Sequence, residues 1–295
     1  MLERERSLIE AEDKKTDNRS GNRSNYRLIA FDMDGTLLDS EKRISPALVR
    51  GIRKAAADGF EVVLSTGRCI PELNWFFPLV PEVRYVISVS GALVFDAWER
   101  CPVYERTIPE AYIRRIIAAT KGRDILIHIL HWKETIMQTD KECCVGEYGL
   151  GPYQSLYDQI ILTVDDLPSF YNAAPFRPEK INLSHRTLEE RQITYEMLAD
   201  LPMEMVDSEQ TTLEFSMRGT TKGTGLLELC RYLDITPAET IAVGDADNDL
   251  DILQTAGFAV AMGNANERVK QIADAVVGDN DHDGALEALR FLYSE

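Results

Sequence analysis

The sequence predicts an α/β fold: a Rossmann-like parallel sheet with crossover helices, interrupted by an inserted α+β module. Three observations carry this. Short apolar runs alternate with amphipathic stretches over residues 27–91 and again after 211, the grammar of βαβ units. The middle, about 92–210, is instead dense in short strand signals. The chain has 295 residues, 44 % of them hydrophobic, enough for one large domain or two ordinary ones with a core.

Residues 1–25 are charged and rich in Ser, Asn and Gly, and predict a disordered tail with a short helix near Ser7–Glu12. Leu28–Phe31 reads as a buried strand. Pro46 opens a helix running to about Asp58, and Gly59 closes it. Glu61–Ser65 is a second strand leading into TGR, Pro71–Phe77 a short helix, and Tyr85–Val89 a third strand. The inserted segment 92–210 shows strand signals at VYERTI, DILIHILHW, TIMQT, KINLSH and MEMV, with helical patterns at Pro109–Lys121 and Thr187–Asp200. Past 211, Lys222–Leu233 is a helix, Thr240–Val243 a strand, Leu250–Ala256 a helix ended by Gly257, Phe258–Ala261 a strand, and Asn266–Ala273 a helix. A short strand at Ala275–Val277 precedes a last helix capped by Asp283. Residues 26–91 and 211–295 are therefore expected to build one core around the insertion.

Composition excludes several classes. The formal charge of −17 repels nucleic acid and anionic membrane, so neither is an expected partner. A phosphorylated small molecule needs local cations to bind such a chain. Five cysteines, an odd number with no CxxC, argue reduced thiols and a cytoplasmic setting rather than disulfides. The four histidines show no paired ligand spacing. No apolar run is long enough to span a bilayer, and the first residues lack the apolar core of a secretory signal.

In an open parallel sheet, ligands collect at the carboxyl ends of the strands. Asp32 and Asp34 follow the first strand, Thr66 the second, and Asp245 and Asp249 follow Thr240–Val243 within GDADND. Lys222 starts a helix after TTLEFSM. Each has an ordinary reading: Asp34-Gly35 as a turn, one of Asp247, Asn248 and Asp249 as a helix cap, Lys222 as a surface lysine. Jointly they leave an acid cluster that asks for a cation. EF-hand spacing fails: from Asp279, Asp245 and Asp32 the twelfth position is Arg290, Ala256 and Arg43. Few carboxylates with room for water and phosphate suit Mg²⁺. A carboxylate can also attack phosphorus directly. Holding an Asp protonated at pH 7 costs about 4 kcal/mol from a pKa of about 3.9, so a general acid should not ligate the metal through its side chain. Residues two apart in an extended stretch face the same way, so one of Asp32 and Asp34 can offer its carboxylate to the metal and the other its carbonyl.

Asp32-Met33-Asp34-Gly35-Thr36, Thr66 in STGR, Lys222 in TKGTG and GDADND at 244–249 resemble the four ordered motifs of the haloacid dehalogenase superfamily. ISPALVRGIRKAAADGFEVVLSTGR and AGFAVAMGNANERVKQIAD resemble its Cof-type phosphatases, which carry a large α/β cap where the insertion lies. The resemblance implies a Mg²⁺-dependent phosphatase acting on a small phosphorylated metabolite, a sugar phosphate or nucleotide-related phosphate, through an aspartyl-phosphate. It implies Asp32 as nucleophile and metal ligand, and Asp34 as general acid lending its carbonyl to the metal. It implies Thr66, Lys222 and Asn248 on the phosphoryl group, Asp245 as a further ligand, and Asp249 orienting it or a bound water. Ser90-Gly91-Ala92 departs from the Asn-Gly-Ala frequent in Cof-type members, so a hydroxyl stands in for an amide. Arg68 reads equally as a substrate contact or an ion-pair partner. Lys180, Asn182, His128 and Tyr153 are candidates to face the site from the cap. The competing readings are a phosphotransferase or phosphomutase on the same core, and a non-catalytic phosphometabolite-binding protein.

Overall fold

The computed structural model describes residues 25–293. The expected tail, apart from Asn25, and its helix near Ser7–Glu12 lie outside the described residues. The strands are β1 Leu28–Phe31, β2 Glu61–Ser65, β3 Tyr85–Ser88, β4 Leu93–Asp96, β5 Cys101–Glu105, β6 Leu126–Leu130, β7 Thr135–Gln138, β8 Ile161–Val164, β9 Lys180–Ser184, β10 Met203–Ser208, β11 Thr212–Met217, β12 Thr240–Gly244, β13 Phe258–Ala261 and β14 Ala275–Val276.

They form two sheets. The first has eight strands in the order β14-β13-β12-β1-β2-β3-β4-β5, parallel up to β3 and antiparallel beyond. All four residues of β1 are fully buried, as a central strand covered on both faces requires. Chain order runs outward from β1 in both directions, β2–β3 to one side and β12–β14 to the other. The switch point therefore lies between β1 and β12, where ligands gather. The helix Pro46–Ala57 buries Leu48, Ile52 and Ala55 against this sheet, and Ser45 caps it by accepting from Leu48 N. The helix Lys222–Leu233 buries Leu226 and Leu229 in the same core.

The second sheet has six strands in the order β10-β11-β9-β6-β7-β8, antiparallel except for β7 beside β8. Its period-2 alternation separates two faces. Ile181, Leu183, Leu213 and Phe215 point into a core shared with the helices Glu110–Ala119 and Leu188–Leu198. Lys180, Asn182, Ser184, Thr212, Glu214 and Ser216, on the opposite face, line a cavity of about 630 Å³ together with residues at the carboxyl edge of the first sheet.

Three expectations need correction. The boundaries at 91/92 and 210/211 do not coincide with the sheets. β4 and β5 join the first sheet, with Ile87 opposite Val94, and β11 joins the second. A strand's local pattern says that it pairs, not with which sheet. The helix expected over Pro71–Phe77 is only a 3₁₀ turn, Pro71–Leu73, followed by turns over residues 74–79, within which Pro78 has no N–H to continue a helix. Asp283 stands at the N-cap of the helix Gly284–Ala288 but makes no cap hydrogen bond. Its φ is 58°, and its carboxylate accepts from Ser45 Oγ at 3.2 Å instead. Strands β4 and β8 and the helices Thr139–Glu142, Gln154–Ile160 and Leu167–Ala173 were not anticipated. Among the described residues no helix is long and apolar enough to cross a membrane.

Candidate active site

Strand pairing sets the floor of the cavity. Phe31 is level with Val243 on one side and Leu64 on the other, so the residues just beyond them meet across three adjacent strand ends. Asp32 N donates to Val243 O at 2.9 Å, which anchors Asp32 beside Gly244 and Asp245. The chain then turns at Gly35, whose φ is 87°, and a Cβ there would lie 2.6 Å from an Asp245 carboxylate oxygen. Thr36 Oγ1 donates to Asp245 Oδ1 at 2.8 Å, and Asn264 Nδ2 donates to Gly35 O at 2.7 Å. The expected residues Asp32, Asp245, Asp249 and Lys222 are thus brought together.

Lys222 is the hub. Its Nζ donates to Asp32 Oδ1 at 2.5 Å and to Asp249 Oδ1 at 2.6 Å, with the lysine side chain only 1 % exposed. Gly91 makes this placement possible. With φ 94°, it packs so closely that an added Cβ would stand 1.8 Å from Thr221 O, at the start of the lysine's helix. Thr221 caps that helix by accepting from Thr224 N. Burial pushes the Lys222 ammonium toward neutrality, but Asp32 and Asp249 outweigh it and its pKa is raised. Asp32 is raised to about 7: burial dominates, Lys222 opposes it, and the charges of Asp249 and Asp245 add to it. Asp245 is raised by burial, against the hydrogen bond from Thr36.

A ligand atom from each of Asp32, Asp245 and Asp249 lies within 4.8 Å of the others, a hard-oxygen donor set. Asp249 is fully committed, however. Its Oδ1 accepts from Lys222, and its Oδ2 accepts from the amides of Asp245 at 3.0 Å and Ala246 at 3.1 Å. Its geometry braces the GDADND loop and leaves Asp32 and Asp245 with lone pairs for a cation.

Asp34 sits apart from this trio. Arg68 grips it with both Nε and Nη2 at 2.8 Å, and Lys42 Nζ reaches it at 2.8 Å. Burial raises its pKa, but the two cations overcome that and the net effect is to lower it. Of the two readings of Arg68, the structure displays the ion pair. The role of Lys42 was missed; it stands eight residues from Asp34 on a loop, and no spacing rule points to it. Thr66 lines the cavity, and its Oγ1 accepts from Arg68 N at 3.2 Å. Asn248 lines it from the other side.

The roof comes from the second sheet. Lys180, Asn182, His128 and Tyr153 all line the cavity. Lys180 Nζ donates to Glu214 Oε2 at 2.7 Å and reaches Ser90 Oγ at 3.4 Å, spanning both sheets at the position of the Ser-Gly-Ala departure. Tyr153 Oη donates to Glu209 Oε1 at 2.8 Å. Thr212, Glu214 and Ser184 were missed, although the alternation in KINLS and TLEFSM could have found them.

The family model for haloacid dehalogenase-like hydrolases matches residues 29–289. The chain belongs to the haloacid dehalogenase-like hydrolases. It is 32 % identical over 291 residues to the phosphatase YwpJ of Bacillus subtilis, covering 90 % of this chain and 99 % of that protein. It is 26 % identical over 281 residues to the 5-amino-6-(5-phospho-D-ribitylamino)uracil phosphatase YitU of B. subtilis, covering 90 % and 97 %. A solved haloacid dehalogenase-like hydrolase from Bacteroides thetaiotaomicron superposes with a TM-score of 0.78 at 26 % identity, covering 90 % of this chain and 98 % of that one. This haloacid dehalogenase-like chain is a phosphoric monoester hydrolase, and the four ordered motifs that suggested the family supply the residues at the cavity floor.

Proposed function

We propose that this phosphatase hydrolyses a small, hydroxyl-rich phosphate monoester in two in-line displacements at Asp32. One observation carries the reading: Asp32 stands at the switch point of the parallel sheet, its carboxylate held by buried Lys222 beside Asp245, on the floor of a polar cavity. Asp32 attacks phosphorus with one carboxylate oxygen, and the bond from phosphorus to the leaving oxygen breaks. Asp34 gives that oxygen its proton. Water then attacks phosphorus, its proton passes to Asp34, and the bond to Asp32 breaks, which releases phosphate and restores both carboxyl groups. Lys222, Thr66 and Asn248 hold the phosphoryl oxygens.

The donor set fits Mg²⁺. Asp32 and Asp245 through carboxylates, and Asp34 through its carbonyl, would hold it, and when bound it offsets charge on the transferring group. Asp34 must be protonated to act as an acid, whereas Arg68 and Lys42 favour its ionised form. The guanidinium therefore leaves Asp34 as substrate arrives and takes up the phosphate, the oxyanion it pairs with best.

The cavity lining narrows the substrate class. Glu72, Glu204, Asp207, Glu209 and Glu214 line the cavity against Lys180 and Arg68. That balance disfavours polyphosphates and suits a monophosphate bearing hydroxyls. Asn182 Oδ1 and Thr220 Oγ1 are buried without partners on the cavity lining, available to such groups. A sugar phosphate or a nucleotide-related monophosphate meets these terms, and the phosphoribityl compound for which YitU is named is of that kind. The test is turnover of p-nitrophenyl phosphate with Mg²⁺ and with EDTA, followed by a panel of sugar and ribityl phosphates. Equal rates in Mg²⁺ and EDTA, or full activity in Asp32→Asn, would remove the proposal.

A further inference from the structure

We propose a second cation site, outside the cavity, where the chain passes from the first sheet to the second. Glu105 ends β5, the edge strand of the first sheet; His131 follows β6 and Glu179 precedes β9 in the second. A ligand atom from each lies within 4.8 Å of the other two. Glu179 is the deciding residue. It is 0 % exposed, and no protein group makes a well-formed hydrogen bond to either carboxylate oxygen; only backbone amides, that of Trp132 among them, and the Glu105 carboxyl lie near it. A carboxylate so placed carries a desolvation cost that a bound cation or a proton must offset. The backbone prevents its escape to water: Glu179 N donates to Leu130 O at 3.1 Å, and Ile108 N donates to Pro178 O at 2.8 Å. The His131 ring is held between Trp132 and Phe176, with centroids 5.8 and 5.7 Å away.

One imidazole nitrogen and two carboxylates form a mixed donor set suited to a divalent transition ion, Zn²⁺ foremost, and the two carboxylate charges balance it. Tetrahedral bonds of about 2.1 Å put donors roughly 3.4 Å apart, a spacing that falls inside the 4.8 Å within which the trio lies. Glu105 is exposed, and its carboxyl lies beside that of buried Glu179. The ion fastens the chain leaving the first sheet to two strands of the second. Because Glu179 adjoins Lys180 on the cavity wall, loading of the site bears on the roof of the active site.

The full chain is stripped with chelator, dialysed into saturating Mg²⁺, and titrated with Zn²⁺ by calorimetry and by thermal melting. Wild type is expected to take up one equivalent more than Glu179→Gln, His131→Asn or Glu105→Gln. Its folding equilibrium is expected to shift about 100-fold at free Zn²⁺ near 100 times Kd, with no such shift in the variants. Zn²⁺ bound at the catalytic acids cancels in the comparison. If Glu179→Gln does not fold, exposed Glu105→Gln and half-buried His131→Asn still report on the site. Equal stoichiometry and equal thermal response in wild type and the folded variants overturn the proposal. So does a Glu179→Gln chain that gains stability while wild type ignores Zn²⁺, the result expected of a proton shared between Glu105 and Glu179.

Discussion

Lys222→Met is the most informative single change. Methionine keeps the apolar stem of lysine and most of its length but removes every donor. Asp32 Oδ1 and Asp249 Oδ1, now 2.5 and 2.6 Å from the ammonium, would face each other without a counter-charge, one residue 7 % and the other 0 % exposed. Removing one partner of a buried ion pair costs about 3–5 kcal/mol. Asp249 retains two backbone donors at 3.0 and 3.1 Å, so the lower end, about 3 kcal/mol, is expected. Loss of a positioned charge at the transferring group should also lower kcat by roughly 10²–10³. Urea unfolding gives the first quantity, and p-nitrophenyl phosphate turnover with Mg²⁺ gives the second. The double variant Lys222→Met/Asp249→Asn should be less destabilised than the sum of its parts, with a coupling of about 1 kcal/mol or more. A Lys222→Met chain destabilised by under ~1 kcal/mol, with kcat within about threefold of wild type, would refute the assignment of Lys222 as the hub.

Three further outcomes are expected. Arg68→Ala should raise KM for a phosphate monoester by roughly 10- to 100-fold, the value of a charge-assisted hydrogen bond transferred to substrate; an unchanged KM leaves Arg68 as a brace on Asp34 alone. Gly91→Ala should destabilise by roughly 2–4 kcal/mol and lower kcat, because its Cβ collides with Thr221 O at 1.8 Å beside Lys222; a neutral result in urea would contradict the close approach. Burial lowers His128 from the ordinary 6.5 to about 4. Between those values the unfolded chain binds more protons, so stability is complete above pH 6.5 and falls as pH drops toward 4, by about 3 kcal/mol from this residue. His128→Gln should flatten that slope in pH-dependent melts, and a slope identical to wild type would refute it.

The core strands were legible because a buried parallel strand is a short apolar run with sharp polar ends. Leu28–Phe31, Glu61–Ser65 and Phe258–Ala261 have the expected bounds. The motif carboxylates could be placed together for the same reason: each lies just past such a run, and parallel strands bring their carboxyl ends to one edge. β5 was placed with the insertion because an antiparallel strand carries the same local signal whichever sheet it extends, and β4 was not read as a strand. Asp283 failed as a cap because its left-handed backbone, and the pull of Ser45 from 238 residues away, are invisible in the local pattern.

By itself the sequence determined that this protein has a parallel α/β core with an inserted module, which acids and hydroxyl stand at the strand ends, and which lysine opens the helix beside them. Periodicity and punctuation are local properties, and they suffice for that. Only the tertiary structure decided how those charges are shared. It spends both carboxylate oxygens of Asp249 on bracing, sets Lys222 between Asp32 and Asp249, and turns Arg68 and Lys42 onto Asp34. It also brings Glu105, His131 and Glu179 together from three separate segments. Hydrogen bonds and ion pairs depend on distances of a few ångströms between residues far apart in the chain, and those distances exist only once the two sheets have packed.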